Sequence, residues 1–155
     1  MLIRYHEGDL INLPITSDRA AIGQVVKKLS KNILLAVFDS PHESKEEIDV
    51  DKLDIDTPIF LSETMDASIE NGSWRIAGNR QVSPHIPIPL YKVPVGPQGE
   101  CYLQDVHGQI GRQLTTKEAQ LLRQPKSFSP AIIEGAVRAF YGYEPWLPLY
   151  EELAL

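Results

Sequence analysis

The side chains able to do chemistry are scattered in this sequence. Four histidines, His6, His42, His85 and His107, stand too far apart for a local metal motif such as His-x-x-x-His. Asp49-x-Asp51 and Asp54-x-Asp56 suggest oxygen ligation of calcium, but an EF-hand loop opening at Asp49 would place Asp54 where glycine is required and Phe60 where a bidentate glutamate is required. The glycines of Gly96-Pro97-Gln98-Gly99 and Gly108-Gln109-Ile110-Gly111 lie between strand-like runs, so they read as hairpin turns rather than phosphate cradles. No Walker loop, dinucleotide-binding loop or Gly-x-Ser-x-Gly elbow is present. The single cysteine, Cys101, can form neither an internal disulfide nor a cysteine-based zinc site. The expectation is a chain without catalytic residues, metal or cofactor. The alternative is a small enzyme or ligand-binding domain, with a site assembled across strands from His6, His85 or His107 beside a tyrosine or an acid.

Charge is the stronger signal. The formal net charge is -6, from 21 acids and 15 bases, and its distribution is uneven. From His42 to Glu70 there are ten acids (Glu43, Glu46, Glu47, Asp49, Asp51, Asp54, Asp56, Glu63, Asp66 and Glu70) against Lys45 and Lys52, a local charge of -8. Such a field repels nucleic acid and attracts a cationic partner, speeding encounter and suppressing wrong pairings. Glu43, Glu46, Glu47, Asp49, Asp51, Asp54 and Asp56 are therefore the candidate partner-binding residues. Between Glu43 and Asp56 they alternate with Ile48, Val50, Leu53 and Ile55, so one edge of the segment is apolar and the acidic edge stays in water whether the backbone is extended or helical. A second candidate is the aromatic group Tyr141, Tyr143, Trp146 and Tyr150, which either anchors a partner or pins the terminus; pinning is the preferred reading.

The elements that must position these residues are α+β. Leu10–Ile15, Ala20–Val26 and Ile33–Phe38 are apolar runs separated by turn residues, as in a meander of three strands, and Ser40-Pro41 stops the pattern. Strand character resumes at Pro58–Leu61. Asn71-Gly72 marks a tight turn before a strand carrying Trp74, whose large ring is expected in the core. Leu90–Val93, Cys101–Val106 and Ile110–Leu114 follow as further strands. Thr115 with Glu118 fits a capping box, and Ser129-Pro130 opens a helix of 3.6-residue apolar period that Gly142 closes. Trp146–Leu155 is too apolar to remain undocked. The expected fold is a bent antiparallel sheet or partly open barrel of six to eight strands with one main C-terminal helix packed on it.

With 155 residues, 43% of them hydrophobic, and a mean hydropathy of -0.19, a single domain over 1–155 can bury a core without staples. No apolar run reaches the length of a membrane span and no basic-then-apolar leader opens the chain, so a cytoplasmic protein with no membrane partner is expected.

The order of motifs resembles a known family. Glu7-Gly8-Asp9-Leu10-Ile11-Asn12-Leu13-Pro14, followed by Ala21-Ile22-Gly23-Gln24-Val25, is similar to the start of the immunity protein 26 family of bacterial polymorphic-toxin systems. Gly72–Asn79 resembles that family's central tryptophan-glycine strand, and Ser129-Pro130 with Glu134, Ala136, Gly142 and Trp146–Leu153 its closing helix and tail. The resemblance implies a protein that binds and neutralises a cognate toxin domain and brings no cofactor or catalytic residue. Many such toxins are nucleases with basic grooves, which the acidic segment would suit. That segment, His42–Glu70, is the part without a counterpart in the family pattern.

Overall fold

Continuous apolar runs such as Ile33–Phe38 mark strands covered on both faces, and the computed structural model, which describes residues 1–155, places them at the centre of a seven-stranded sheet. Strands β1 (Asp9–Pro14), β2 (Arg19–Lys28) and β3 (Asn32–Val37) form the expected antiparallel meander. The two-residue β4 (His42–Glu43) continues along β2 beyond β3, and β5 (Phe60–Met65) pairs antiparallel with β3. A short helix, α1 (Ala67–Glu70), leads through the Asn71-Gly72 turn to β6 (Arg75–Asn79), which returns to pair with β1. Near the end, β10 (Ser127–Phe128) adds to β5 in parallel, so the order is β10-β5-β3-β2-β1-β6. That parallel pair departs from a purely antiparallel reading.

Directly paired residues in a sheet point to the same face, so the register divides the core. Ile11, Leu13, Ala21, Val25, Ile33, Leu35, Val37 and Phe60 share the first face and pack with Ile133, Ala136 and Val137 of helix α3 (Pro130–Phe140). Trp74, Ile69, Phe128, Tyr150 and Leu153 complete this layer, and Trp74 has no exposed surface. Leu10, Ile22, Gln24, Leu34 and Ala36 have the opposite parity and are also inaccessible, so the second face is covered too. Helix α3 begins where the sequence places it: the Ser129 hydroxyl accepts from the Ile132 N–H, Pro130 takes the first turn, and Gly142 adopts φ 82° beyond the last turn. The tail forms a 3-10 turn over Pro148–Glu152 and docks along the start of β5, through Leu61 N–H to Leu153 O and Leu155 N–H to Ile59 O.

The expectation of one domain over 1–155 meets a division into two compact units, Met1–Ile86 with Ser127–Leu155, and Pro87–Lys126. The second is a three-stranded antiparallel sheet of β7 (Tyr91–Val95), β8 (Glu100–Gln104) and β9 (Ile110–Gln113), followed by α2 (Thr116–Leu121). Gly96 and Gly99, at φ 85° and 72°, turn β7 into β8. Helix α2 carries the full capping box, and the Arg112 guanidinium and the Thr115 N–H pull the Glu118 carboxyl down to about 2. The larger sheet, with seven strands, falls within the expected six to eight, and the three strands β7-β8-β9 form a second sheet beyond it. No helix is long and apolar enough to cross a membrane.

Candidate partner-binding surface

Between β4 and β5 the chain has no long element, and short-range bonds shape it. Ser44 N–H donates to Asp18 O, and Glu46 N–H turns back to Glu43 O. A 3-10 turn over Val50–Lys52 is capped by Asp49, whose carboxylate accepts from Asp51 N–H. The Asp54 carboxylate accepts from Asp56 N–H at 2.9 Å in the same way. Both turns use the tendency of aspartate to bond its own backbone, which is why this acidic stretch forms neither a long helix nor a strand.

The apolar edge holds the segment to the body. Ile55 is buried, and Val50 lies on Gly78, where an added Cβ would meet its methyls at 3.1 and 3.2 Å. Gly78 is the register partner of Leu10, so the segment crosses the second face of the sheet, away from α3. Arg80 clamps it: one guanidinium nitrogen donates to Val50 O at 3.0 Å and to Leu53 O at 2.7 Å. The Ser83 hydroxyl donates to Asp56 at 2.5 Å and itself accepts from His85 N–H. The result is a strap with its aliphatic side chains down and its carboxylates up.

Glu43, Glu46, Glu47, Asp49, Asp51, Asp54 and Asp56 are all exposed on this strap. Its seven acids and two lysines give it a formal charge of -5. The single cation at ion-pair distance is Lys52, 3.8 Å from Asp49 with both side chains largely in water, a contact of little strength. Glu63, Asp66 and Glu70, the rest of the -8 segment, belong to β5 and α1. Asp66 there accepts from the Tyr5 hydroxyl at 2.7 Å, and burial together with Asp66 and Glu70 holds that phenol above its ordinary range.

The seven residues do not share one role. Asp49, Asp54 and Asp56 hold the strap's own turns and its bond to Ser83, whereas Glu43, Glu46, Glu47 and Asp51 make no side-chain hydrogen bond. Arg80, Gly78 and Ser83 escape a sequence reading because they act across some thirty positions of chain; the only local hint was glycine in the Trp74 strand.

The other candidates are placed as follows. His42 is buried, with Nδ1 on Ser40 O and Nε2 on the Asn12 side chain, and so bridges β4 to β1. His6 is exposed and 4.0 Å from Asp9, while His85 and His107 are exposed in turns. No three His, Cys, Asp or Glu side chains group so as to hold a metal ion. Cys101 is half-buried in β8. Trp146 stacks on Phe60 at 6.1 Å and Tyr150 meets it edge-on at 5.4 Å, yet 39% of Trp146 stays exposed. It both pins the tail and faces solvent.

Compared with known proteins, the chain matches no family model, no curated protein and no solved structure.

Proposed function

We propose that this protein is an immunity protein: a binder that neutralises a cognate toxin domain, with the strap laid against a basic active-site groove such as that of a nuclease. The observation that carries the reading is the strap itself, seven exposed carboxylates with one weak intramolecular cation, held on a rigid face by Arg80, Val50 and Ser83. Carboxylates left unpaired on a stiff scaffold raise the encounter rate with a positive surface and lose little freedom on docking. The order of short motifs, from Glu7–Val25 to Trp146–Leu153, supports the same reading. In this mode the protein performs no chemistry and needs no cofactor; affinity comes from the centre of the buried contact, and the acids set speed and selectivity.

The test uses three acids outside the strands whose side chains hold nothing in place, Glu46, Glu47 and Asp51. Glu46→Lys, Glu47→Lys and Asp51→Lys together should slow association with the toxin domain encoded beside this chain's gene by about 10–100-fold at low salt, with a much smaller change in dissociation. Protection of cells expressing that toxin should weaken in parallel. Unchanged association, with the variant folded, rules the strap out as the recognition surface.

A further inference from the structure

We propose that the outward face of the Trp146 indole, with the Glu151 carboxylate at its edge, is a docking platform for an arginine side chain carried on an apolar segment of a partner polypeptide. The argument begins with what is already used on that ring. One indole face is stacked on Phe60 with an interplanar angle of 18°, one edge meets Tyr150 at 76°, and the Nε1–H donates to Glu151 Oε1 at 2.9 Å. The residue is nevertheless 39% exposed, and its ring contacts are with Phe60 and Tyr150, so the ring face opposite Phe60 is the surface we assign to docking.

That face is electron-rich, and the carboxylate beside it has no cation of this chain at ion-pair distance. A guanidinium laid on the indole would gain a cation–π contact and an ion pair together, with its planar group matched to the ring. Phe140, Tyr143 and Leu147, exposed by 42%, 54% and 47%, lie close in sequence, and Phe140 also packs on Phe60 at 6.0 Å. Phe140, packed on the same Phe60, is the apolar neighbour offered to the residues flanking the arginine. Pro145 and Pro148 bracket Trp146-Leu147 and restrict the backbone, which lowers the ordering cost of binding. The carboxylate disfavours a nucleic-acid base on the same ring, since phosphates would follow it.

Phe60 belongs to the first sheet face and the strap crosses the second, so this platform is separate from the surface proposed for toxin recognition. Each can fail alone.

The test follows the two indole N–H resonances in 15N-labelled full-length protein, with the inaccessible Trp74 as internal reference. The probe is the peptide Gly-Leu-Arg-Phe-Arg-Gly, and the control has both arginines replaced by glutamine. The Trp146 resonance should shift saturably with the arginine peptide, about tenfold more weakly with the control, while Trp74 stays still. Glu151→Gln, which keeps an acceptor for the indole N–H, should weaken binding about three- to tenfold. The strap variant Glu46→Lys, Glu47→Lys, Asp51→Lys should respond as the wild type does. An unmoved Trp146, an equal response to the control peptide, or loss of the response in the strap variant overturns the proposal.

Discussion

Removing the Arg80 side chain should unfasten the strap while leaving the sheet intact. Arg80 holds Val50 O at 3.0 Å and Leu53 O at 2.7 Å from a half-buried guanidinium. Hydrogen bonds to charged groups contribute about 1.5–3 kcal/mol each, and partial exposure puts these at the low end, for a total of about 2–3 kcal/mol. Arg80→Ala leaves both carbonyls without this donor, so the free energy of local opening should fall by that amount. Hydrogen exchange at Lys52, Leu53 and Asp56, whose amides bond within the strap, should accelerate by about 30–150-fold. Amides in β2 and β3 should be unaffected, because the Arg80 side chain's hydrogen bonds go to the strap and not to either strand. Arg80→Lys should restore about half of the protection, since an ammonium keeps several donors on one nitrogen but lacks the longer, planar group that aims two of them at Val50 O and Leu53 O. Exchange changed by less than about threefold in Arg80→Ala would refute the reasoning: Val50 on Gly78 and Asp56 on Ser83 would then suffice to hold the strap.

Three other outcomes are expected. Gly135→Ala gains helix propensity of about 1 kcal/mol, but its Cβ would lie 2.7 Å from the Tyr150 hydroxyl; net destabilisation of about 1–2 kcal/mol in urea is expected, with Tyr150→Phe restoring most of it, and a neutral Gly135→Ala would contradict this. Burial and the Asp39 carboxylate raise the Tyr141 phenol, and burial with Asp66 raises that of Tyr5, so the unfolded chain ionises first; their contribution is intact below pH about 10 and is lost as pH rises beyond it, a decline that Tyr5→Phe or Tyr141→Phe should flatten in alkaline melts. Burial also raises the Glu134 carboxyl, against the opposing pull of Arg138; stability from this group is therefore greatest in acid and lost as pH rises through its folded value. Glu134→Gln should accordingly be more stabilising at pH 7 than at pH 4, and equal effects at the two pH values would count against the assignment.

Much of the fold was legible wherever neighbours in sequence decide the outcome. The three-strand meander, the capping box at Thr115 and Glu118, the Ser129-Pro130 helix start and the Gly142 stop depend on periodicity and on bonds spanning a few residues. The same holds for the orientation of the strap, because apolar and acidic residues alternate along it. Elements of two residues, such as β4 and β10, carry no period to read, and the parallel pairing of β10 with β5 joins segments far apart in the chain. The inserted unit at Pro87–Lys126 was hidden for a related reason. Its strands look like any others, and only the pairing pattern separates β7-β8-β9 from the larger sheet.

For the candidate site, composition alone located the charge, whereas the tertiary structure decided which charges act together. The cost of stripping water from an ionised carboxylate keeps the acids of His42–Glu70 near solvent, whatever the fold, but it does not choose a side of the molecule. That choice came from Gly78, which leaves room for Val50, and from Arg80, whose guanidinium reaches two carbonyls of the strap. Trp146 follows this logic: its aromatic neighbours were visible in the sequence, but the ring face left open to solvent depends on Phe60, which lies in a different strand.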